Sequence, residues 1–265
     1  MTVAFVDIGW NGREVRIEHA FVGTGAATAP LMVFLHEGLG SLAMWKDFPA
    51  LLCAAAGLRG LVYSRPGYGR STPRAAAETW APDFMHRQAH EVLPALLRAL
   101  GIDVREQPPW LFGHSDGGSI ALLHAASHPV AGVAVVAPHL FVEDVSVASI
   151  QQARQAYTHG KLKAGLAKYH DDPDSAFHGW NDVWLSPAFR SWNIEAQIAG
   201  ITAPLLAVQG EDDEYGTLAQ IRNIQAQVPR AQLLEIPRCG HSPHRDQPQR
   251  LIDAVRAFVA EHRPS

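Results

Sequence analysis

Hydrophobic residues occur along the chain in two alternating patterns, short continuous runs and longer segments with helical spacing. Residues 2–8 and 14–21 alternate apolar and polar positions around Asn11-Gly12, a dipeptide that favours a two-residue hairpin turn. We therefore expect an antiparallel hairpin at the edge of a sheet. Later apolar runs are too short for helices and predict buried strands, at residues 30–35, 60–63, 109–113, 133–137, 205–210 and 231–236.

Helical spacing of apolar residues fills most of the intervals between these runs. It predicts helices over residues 43–56, 82–100 with a kink at Pro94, a segment after Gly118, 215–228 and 247–262. Strands that alternate with helices form a mainly parallel sheet with right-handed crossovers. The chain is therefore predicted to be an α/β protein.

The alternation stops between residues 138 and 201, where helical patches rich in large aromatic residues replace the apolar runs. An insertion of this length after a strand favours a helical cap over the carboxyl ends of the strands, where open α/β sheets bind ligands. We therefore divide the chain into a core domain, residues 1–137 and 202–265, and a cap, residues 138–201.

Composition narrows the possible functions. A chain of 265 residues with 47% hydrophobic and 18% charged residues suits one globular α/β domain. A net charge of -4 offers no cationic surface for nucleic acid or anionic lipid. The absence of a signal peptide or a membrane-spanning run leads us to expect a cytoplasmic location. Cys53 and Cys239 lack metal-ligand spacing, so neither a disulfide framework nor a metal is expected, and no cofactor is expected either.

The most informative motif lies in the segment from Pro109 to His128. It contains G-x-S-x-G with Ser115 at its centre, between a predicted strand and a predicted helix. A sharp turn there would hold Ser115 in a strained conformation with its hydroxyl clear of the sheet. Ser115 is therefore the candidate nucleophile, and the backbone amide of Asp116 at the helix start is a candidate oxyanion donor.

A nucleophilic serine needs a base and an acid that orients the base. The acid is expected at the end of a later strand, where Asp213 is favoured over its neighbour Asp212 and over Asp144 after the preceding strand. The base is expected at the end of the last strand, where His241 is favoured and His244 is the alternative. The carboxylates that do not serve as the acid are interpreted as solvated loop residues.

In this serine, acid, histidine order the chain resembles α/β-hydrolase fold enzymes over essentially its full length. The resemblance implies a mostly parallel central sheet of about eight strands, helices on both faces, a helical cap and a Ser-His-Asp triad of Ser115, Asp213 and His241. The segments that carry it are His36-Glu37-Gly38, residues 65–71 (RPGYGRS), residues 113–118 (GHSDGG), residues 210–213 (GEDD) and Gly240-His241.

One residue departs from the family pattern, because Glu37 stands where the oxyanion loop usually has a glycine after its histidine. By position, the second oxyanion donor is then the amide of Gly38, paired with that of Asp116. We favour an outward orientation for Glu37, since a carboxylate facing the site would oppose the oxyanion.

The resemblance implies a serine hydrolase that cleaves a small-molecule ester, thioester or lactone through an acyl-enzyme. A serine at the centre of G-x-S-x-G argues against family members that use a carboxylate or a cysteine as the nucleophile at that position. Three alternatives remain open: an α-amino acid ester hydrolase similar to valacyclovir hydrolases, with Asp116 binding the ammonium; a carbon-carbon bond hydrolase of ring-cleavage products; and a non-catalytic ligand receptor. The candidate substrate-binding residues are His36, Glu37, His114, Phe141, Trp180 and Trp184.

Overall fold

A computed structural model describes residues 2–23, 28–75 and 77–263. Within these residues eight strands form one sheet in the order β1-β2-β4-β3-β5-β6-β7-β8. The architecture confirms the predicted α/β-hydrolase fold, with a mainly parallel sheet flanked by helices. The strands are β1 (Ala4–Trp10), β2 (Arg13–Val22), β3 (Leu31–Leu35), β4 (Arg59–Tyr63), β5 (Trp110–His114), β6 (Gly132–Val136), β7 (Leu205–Gly210) and β8 (Gln232–Ile236).

Strand pairing changes from antiparallel to parallel across the sheet. β1 and β2 form the predicted hairpin around Asn11-Gly12, and β2 pairs antiparallel with β4. The remaining neighbours are parallel, from β4 through β3, β5, β6 and β7 to β8. The carboxyl ends of these parallel strands lie at the same edge of the sheet, so the loops that follow the strands can build one site.

Helices cover both faces of this sheet. Alternate side chains of β3 divide between two cores: Val33 and Leu35 face one, and Met32 and Phe34 face the other. Such burial on both faces explains why the strand runs are continuously apolar. The helices are α1 (Phe48–Ala56), α2 (Phe84–Arg87), α3 (Leu93–Ala99), α4 (Asp116–Ala125), α5 (Asp144–Thr158), α6 (Lys161–Leu166), α7 (Pro173–Trp184), α8 (Glu195–Ile198), α9 (Ala219–Gln227), α10 (Pro243–Asp246) and α11 (Pro248–His262).

The predicted helix over residues 82–100 contains an irregular turn just before Pro94, the residue at which we expected a kink. α2 passes into one π-helical turn, Gln88–Val92, before α3 begins. Pro94 has no amide hydrogen to continue the regular pattern, so the preceding turn is wider. The ring of His124 on α4 donates from Nδ1 to the carbonyl oxygen of Ala89 at 2.7 Å, which occupies a carbonyl of the widened turn.

The segment between β6 and β7 contains α5, α6, α7 and α8. Its helices are those expected for residues 138–201, and the division of the chain into core and cap stays a prediction. α7 is capped by Asp172, which accepts a hydrogen bond from the amide of Ser175 at 2.8 Å. In the part of the chain that the structure describes, no helix has the length and hydrophobicity needed to cross a bilayer.

Candidate active site

Ser115 occupies the tight turn between β5 and α4. Its backbone has φ 54° and ψ -121°, a conformation that L-residues rarely adopt. The Ser115 amide donates to the carbonyl of Val136 at 2.9 Å, and its own carbonyl accepts from the amides of Gly118 at 2.8 Å and Ser119 at 3.1 Å. These bonds fix the strained turn, and the serine side chain lines a pocket at the carboxyl edge of the sheet.

The start of α4 packs directly against the loop that follows β3. A Cβ atom on Gly117 would stand 2.1 Å from the carbonyl oxygen of Leu35, so only glycine permits this approach. A Cβ atom on Gly38 would stand 2.1 Å from Nε1 of Trp180, which places α7 directly over the loop. Gly38 and Asp116, the predicted oxyanion donors, therefore border the same pocket as the serine.

His241 and Asp213 are joined by a hydrogen bond of 2.8 Å between Nδ1 and Oδ1. The Asp213 carboxylate also accepts from the amide of Tyr215 at 2.8 Å and from Nε2 of Gln209 at 3.1 Å. Burial acts to raise the pKa of Asp213, but the hydrogen bonds and charge of its partners hold that pKa below its usual value. An ionised Asp213 accepts a hydrogen bond from the Nδ1–H group of His241, which leaves Nε2 of the ring as a possible base.

Backbone contacts bring the loops after β7 and β8 together. The amide of Asp212 donates to the carbonyl of Cys239 at 3.0 Å, and Oε2 of Glu214 accepts from the amide of His241 at 3.1 Å. On the other side, Nε2 of His114 donates to the carbonyl oxygen of His241 at 2.8 Å. The histidine loop is therefore attached both to the acid loop and to the end of β5.

The three alternative acids and bases lie elsewhere. Asp212 is exposed to solvent, and the side chain of Asp144 is 91% exposed and pairs with Arg190. His244 is buried beside His114, with 4.7 Å between the ring centres, and it lines a different cleft from the serine. The contacts therefore favour Asp213 and His241 over these alternatives.

Ser115 and His241 line one pocket, yet no hydrogen bond joins the serine hydroxyl to the histidine ring among the described residues. Hydrogen bonds of catalytic groups are often long before the substrate binds. The hydrogen bond between Asp213 and His241 is therefore present, whereas the one between Ser115 and His241 is not.

The pocket has a volume of about 240 Å³. Glu37, His114, Trp180 and Trp184, four of the predicted substrate-binding residues, are part of its wall. Within the described ranges, no group of three or more His, Cys, Asp or Glu side chains is arranged to hold a metal ion. The remaining wall residues are Gly38, Leu39, Met44, Ser115, Asp116, His139, Ile150, Leu162, Leu166, Glu214, Tyr215, His241, Ser242 and Arg245.

Two of the predicted substrate-binding residues, His36 and Phe141, are not part of the pocket wall. The ring of His36 is fully buried, where Nδ1 donates to the carbonyl of Glu37 at 2.7 Å and Nε2 accepts from the amide of Arg65 at 3.0 Å. His36 thus connects two loops beneath the site. Phe141 pairs through its backbone with Asn193 and packs against the core, because the chain turns away from the sheet edge there.

The outward orientation favoured for Glu37 is wrong, since its carboxylate lines the pocket. Oε1 lies 3.2 Å from Nη2 of Arg245, and Oε2 lies 3.6 Å from Nδ1 of His114. Burial alone would raise the pKa of Glu37, but these neighbours lower that pKa well below its usual value. Glu37 is therefore an ionised group whose charge Arg245 partly offsets.

Asp116 is a second carboxylate in the pocket wall and is almost completely buried. Oδ1 accepts a hydrogen bond from Nε1 of Trp184 at 3.1 Å, whereas Oδ2 has no hydrogen-bond partner among the described residues. Burial is the main cause that raises the pKa of Asp116 to about 6. Stabilisation of the helix start by a negative charge does not account for this side chain, because one carboxylate oxygen is left unpaired in the wall of a pocket.

The pocket residues that the sequence analysis missed include Tyr215, His139 and Arg245. The Tyr215 ring centre lies 4.7 Å from that of His241, and the His139 ring centre lies 6.0 Å from that of His241. Arg245, on α10, holds Glu37 as described above. All three follow the carboxyl end of a parallel strand, which is the signal that could have identified them.

A nucleophile elbow at the carboxyl edge of a mainly parallel sheet, with an acid and a histidine on later loops, is the arrangement of α/β-hydrolase enzymes. The model of the alpha/beta hydrolase family matches residues 32–254. The chain therefore belongs to this family and is an enzyme of the hydrolase class.

Known relatives differ in their reactions. The chain is 24% identical over 270 residues to sn-1-specific diacylglycerol lipase ABHD11 of Mus musculus, covering 89% of this chain and 83% of the relative. It is 25% identical over 271 residues to 2-hydroxy-6-oxo-6-phenylhexa-2,4-dienoate hydrolase of Burkholderia cepacia, covering 91% and 90%. A solved structure of a bacterial membrane phospholipase A superposes with a TM-score of 0.78 at 20% identity, covering 99% of this chain and 87% of that one. The structural likeness concerns the fold.

The close approach of α4 to the loop after β3 can be tested by replacing Gly117 with Ala. The new methyl group meets backbone, which cannot move aside, so we expect Gly117→Ala to lower the free energy of unfolding by about 1–3 kcal/mol or more. Gly165→Ala is the control, because nothing lies within 4 Å of a Cβ atom at Gly165 in α6. That change is expected to be neutral or to stabilise by up to about 1 kcal/mol. Urea denaturation measures both, and equal stabilities would contradict the packing.

Proposed function

We propose that the protein is a serine hydrolase that cleaves a small carboxylic ester, thioester or lactone through a covalent acyl-enzyme. The observation that carries the proposal is the hydrogen bond of 2.8 Å between Asp213 and His241, because His241 lines the same pocket as Ser115. The strained backbone of Ser115 supports the same assignment, since strain of this kind is common at catalytic residues.

In the first half of the reaction, Nε2 of His241 takes the proton from the Ser115 hydroxyl as its oxygen attacks the substrate carbonyl. The negative charge that develops on the carbonyl oxygen is stabilised by the amides of Gly38 and Asp116. His241 then gives its proton to the departing alcohol or thiol. Asp213 stabilises the imidazolium formed in between and keeps Nδ1 protonated.

In the second half, the same histidine removes a proton from water, which attacks the acyl-enzyme carbonyl. The bond between the acyl group and the Ser115 oxygen breaks, and the serine recovers its proton from His241. The free acid then leaves. The ionised Glu37 opposes a negative charge nearby, and its contact with Arg245 at 3.2 Å limits this opposition.

The size of the pocket supports a small substrate. Its volume of about 240 Å³ lies just below the range of roughly 300–1,000 Å³ usual for small-molecule sites. The relatives do not single out one substrate, because their printed names include both a diacylglycerol lipase and a dienoate hydrolase. We therefore propose ester hydrolysis, with carbon-carbon bond cleavage as an outcome of the test.

The test of this proposal is Ser115→Ala. Without the hydroxyl no acyl-enzyme can form, so turnover of para-nitrophenyl butyrate is expected to fall about 10⁴-fold or more. Labelling of the protein by an organophosphorus probe is expected to disappear as well, as judged by intact mass. Ser127→Ala, at an exposed serine beyond α4, is the matched control and should keep both activities.

Three results would count against ester hydrolysis. Labelling that persists in Ser115→Ala would show that another residue is the nucleophile. Turnover of a coloured dienone in preference to every ester would favour the carbon-carbon bond hydrolase. Tight binding of small esters with no turnover by the unaltered protein would favour the ligand receptor.

A second candidate function is hydrolysis of α-amino acid esters, and the unpaired Oδ2 of Asp116 favours it. An ammonium group could supply the missing hydrogen bond together with an opposite charge. The position is suitable because Asp116 directly follows the proposed nucleophile and lines the same pocket. The specificity would then depend on the protonation state of Asp116.

This candidate predicts a preference that depends on Asp116 and on pH. We expect Asp116→Asn to reduce the ratio of kcat/KM for glycine benzyl ester to that for benzyl acetate by about tenfold or more. In the unaltered protein KM for the amino ester should rise as the pH falls through about 6, because protonation removes the negative charge of Asp116. Steady-state assays by titration of released acid measure both. An unchanged ratio together with a flat KM would remove the amino ester function.

A further inference from the structure

A second cleft, of about 550 Å³, opens beside the catalytic pocket. Met44 and Arg245 line both spaces and form a shared wall. A substrate whose reacting carbonyl lies at Ser115 and which extends past these two residues would enter the cleft. We call this space the outer cleft, and the other residues that line it are Trp45, Lys46, Asp47, Phe48, Leu51, Tyr169, His244 and Pro248.

The buried wall of the outer cleft is mainly apolar, but some of its polar atoms have no hydrogen-bond partner. Trp45 and Phe48 are buried and stack with 6.2 Å between ring centres, and Leu51 at the rim is 50% exposed. Nε1 of Trp45 and both ring nitrogens of His244 have no hydrogen-bond partner among the described residues. These side chains are only 2% and 5% exposed, so water has little access to them. Buried N–H groups of this kind call for an acceptor.

The outer part of the cleft supplies positive charge. Nζ of Lys46 donates to the hydroxyl of Tyr169 at 2.7 Å, and no carboxylate lies within 4 Å of it among the described residues. Lys46 first, with Lys168 and Arg245 more weakly, lowers the pKa of the half-buried Tyr169. The Lys46 backbone also has a positive φ of 56°, a strained conformation that is common at binding sites.

Negative charge in the outer cleft is smaller. Among the residues that line it, Asp47 is the carboxylate, against the cations Lys46 and Arg245. Glu37 approaches from the catalytic pocket and occupies one amino group of Arg245 at 3.2 Å. Lys46 therefore remains the cation best able to bind a new partner. A lysine ammonium without a carboxylate partner suits an anionic group rich in acceptors.

We propose that the outer cleft binds a carboxylate or phosphate group of the substrate, remote from the reacting carbonyl, with Lys46 as its main cationic contact. The apolar stretch of Trp45, Phe48 and Leu51 would accommodate the stem between the two ends. This inference rests on the proposed function, because it assigns the far end of the substrate that Ser115 attacks. The substrate class is thus an ester or thioester with an anionic tail.

The experiment compares neutral and anionic esters on both sides of the ester bond. One pair is para-nitrophenyl hydrogen adipate with para-nitrophenyl hexanoate, which differ in the acyl part. The other is the butyryl ester of para-hydroxyphenylacetate with that of para-cresol, which differ in the alcohol part. For one pair at least, the unaltered protein should prefer the anionic ester. Lys46→Met should reduce that kcat/KM ratio about tenfold, mainly through KM, and Lys46→Arg should retain most of it.

Lys161→Met is the matched control, because Lys161 is an exposed lysine at the start of α6 that does not line the outer cleft. Its ratio should equal that of the unaltered protein. Competitive inhibition by phenyl phosphate and by phenylacetate at constant ionic strength tells which anion is preferred. Equal ratios for the unaltered protein and Lys46→Met in both pairs would overturn the proposal.

Calorimetry on Ser115→Ala separates this inference from the proposed function. Tighter binding of the anionic ester that disappears in the Ser115→Ala, Lys46→Met double variant would support the outer cleft, even if the unaltered protein hydrolysed no ester. Normal hydrolysis of neutral esters without any preference for the anionic ones would overturn the outer cleft and leave the hydrolase proposal standing.

Discussion

The strained turn at Ser115 is the constraint on which the rest of the site depends. A positive φ at a residue with a side chain is unfavourable, and it persists because backbone hydrogen bonds to β6 and α4 fix it from both sides. The turn also requires α4 to start against the backbone of Leu35, where a side chain on Gly117 would not fit. One local geometry therefore sets the direction of the serine and the position of the loop that bears Gly38.

The second feature of the site is a high density of carboxylates in a small space. Asp213 is satisfied by His241 and two further donors, and Glu37 is held by Arg245. Asp116 keeps one oxygen without a partner, and its raised pKa reflects that burial. The inner pocket thus favours neutral or positively charged groups near the reacting carbonyl. The outer cleft adds Lys46, which does not line the inner pocket, so the two ends of one substrate could differ in charge.

Much of this could be predicted from the sequence because the responsible signals are local. Continuous apolar runs gave the parallel strands, and Asn11-Gly12 identified the hairpin. G-x-S-x-G predicted the elbow, and Gly113 is required by a local contact, because a Cβ atom there would meet the backbone of Gly117. Asp213 and His241 were chosen by their positions after strands, and a 2.8 Å hydrogen bond now links them.

The sequence is least informative about residues whose environment depends on distant parts of the chain. His36 was expected in the site, but the loop that contains Arg65 covers the His36 ring, which lies beneath the site. Glu37 was expected to face solvent. Its counterion Arg245 lies on α10, far away in sequence, so the ion pair could not be foreseen. Phe141 follows a strand, yet its pairing with Asn193 turns it away from the pocket. Periodicity along a chain contains no information about such partners.

The central claim is that an acid on the loop after β7 orients the histidine that activates the serine. Its most direct measurement is kcat for ester hydrolysis in Asp213→Asn beside Asp212→Asn, the same chemical change one residue apart at an exposed carboxylate. The account predicts a fall of about 10⁴-fold for the first variant and a change within about twofold for the second. Similar rates in the two variants would contradict it.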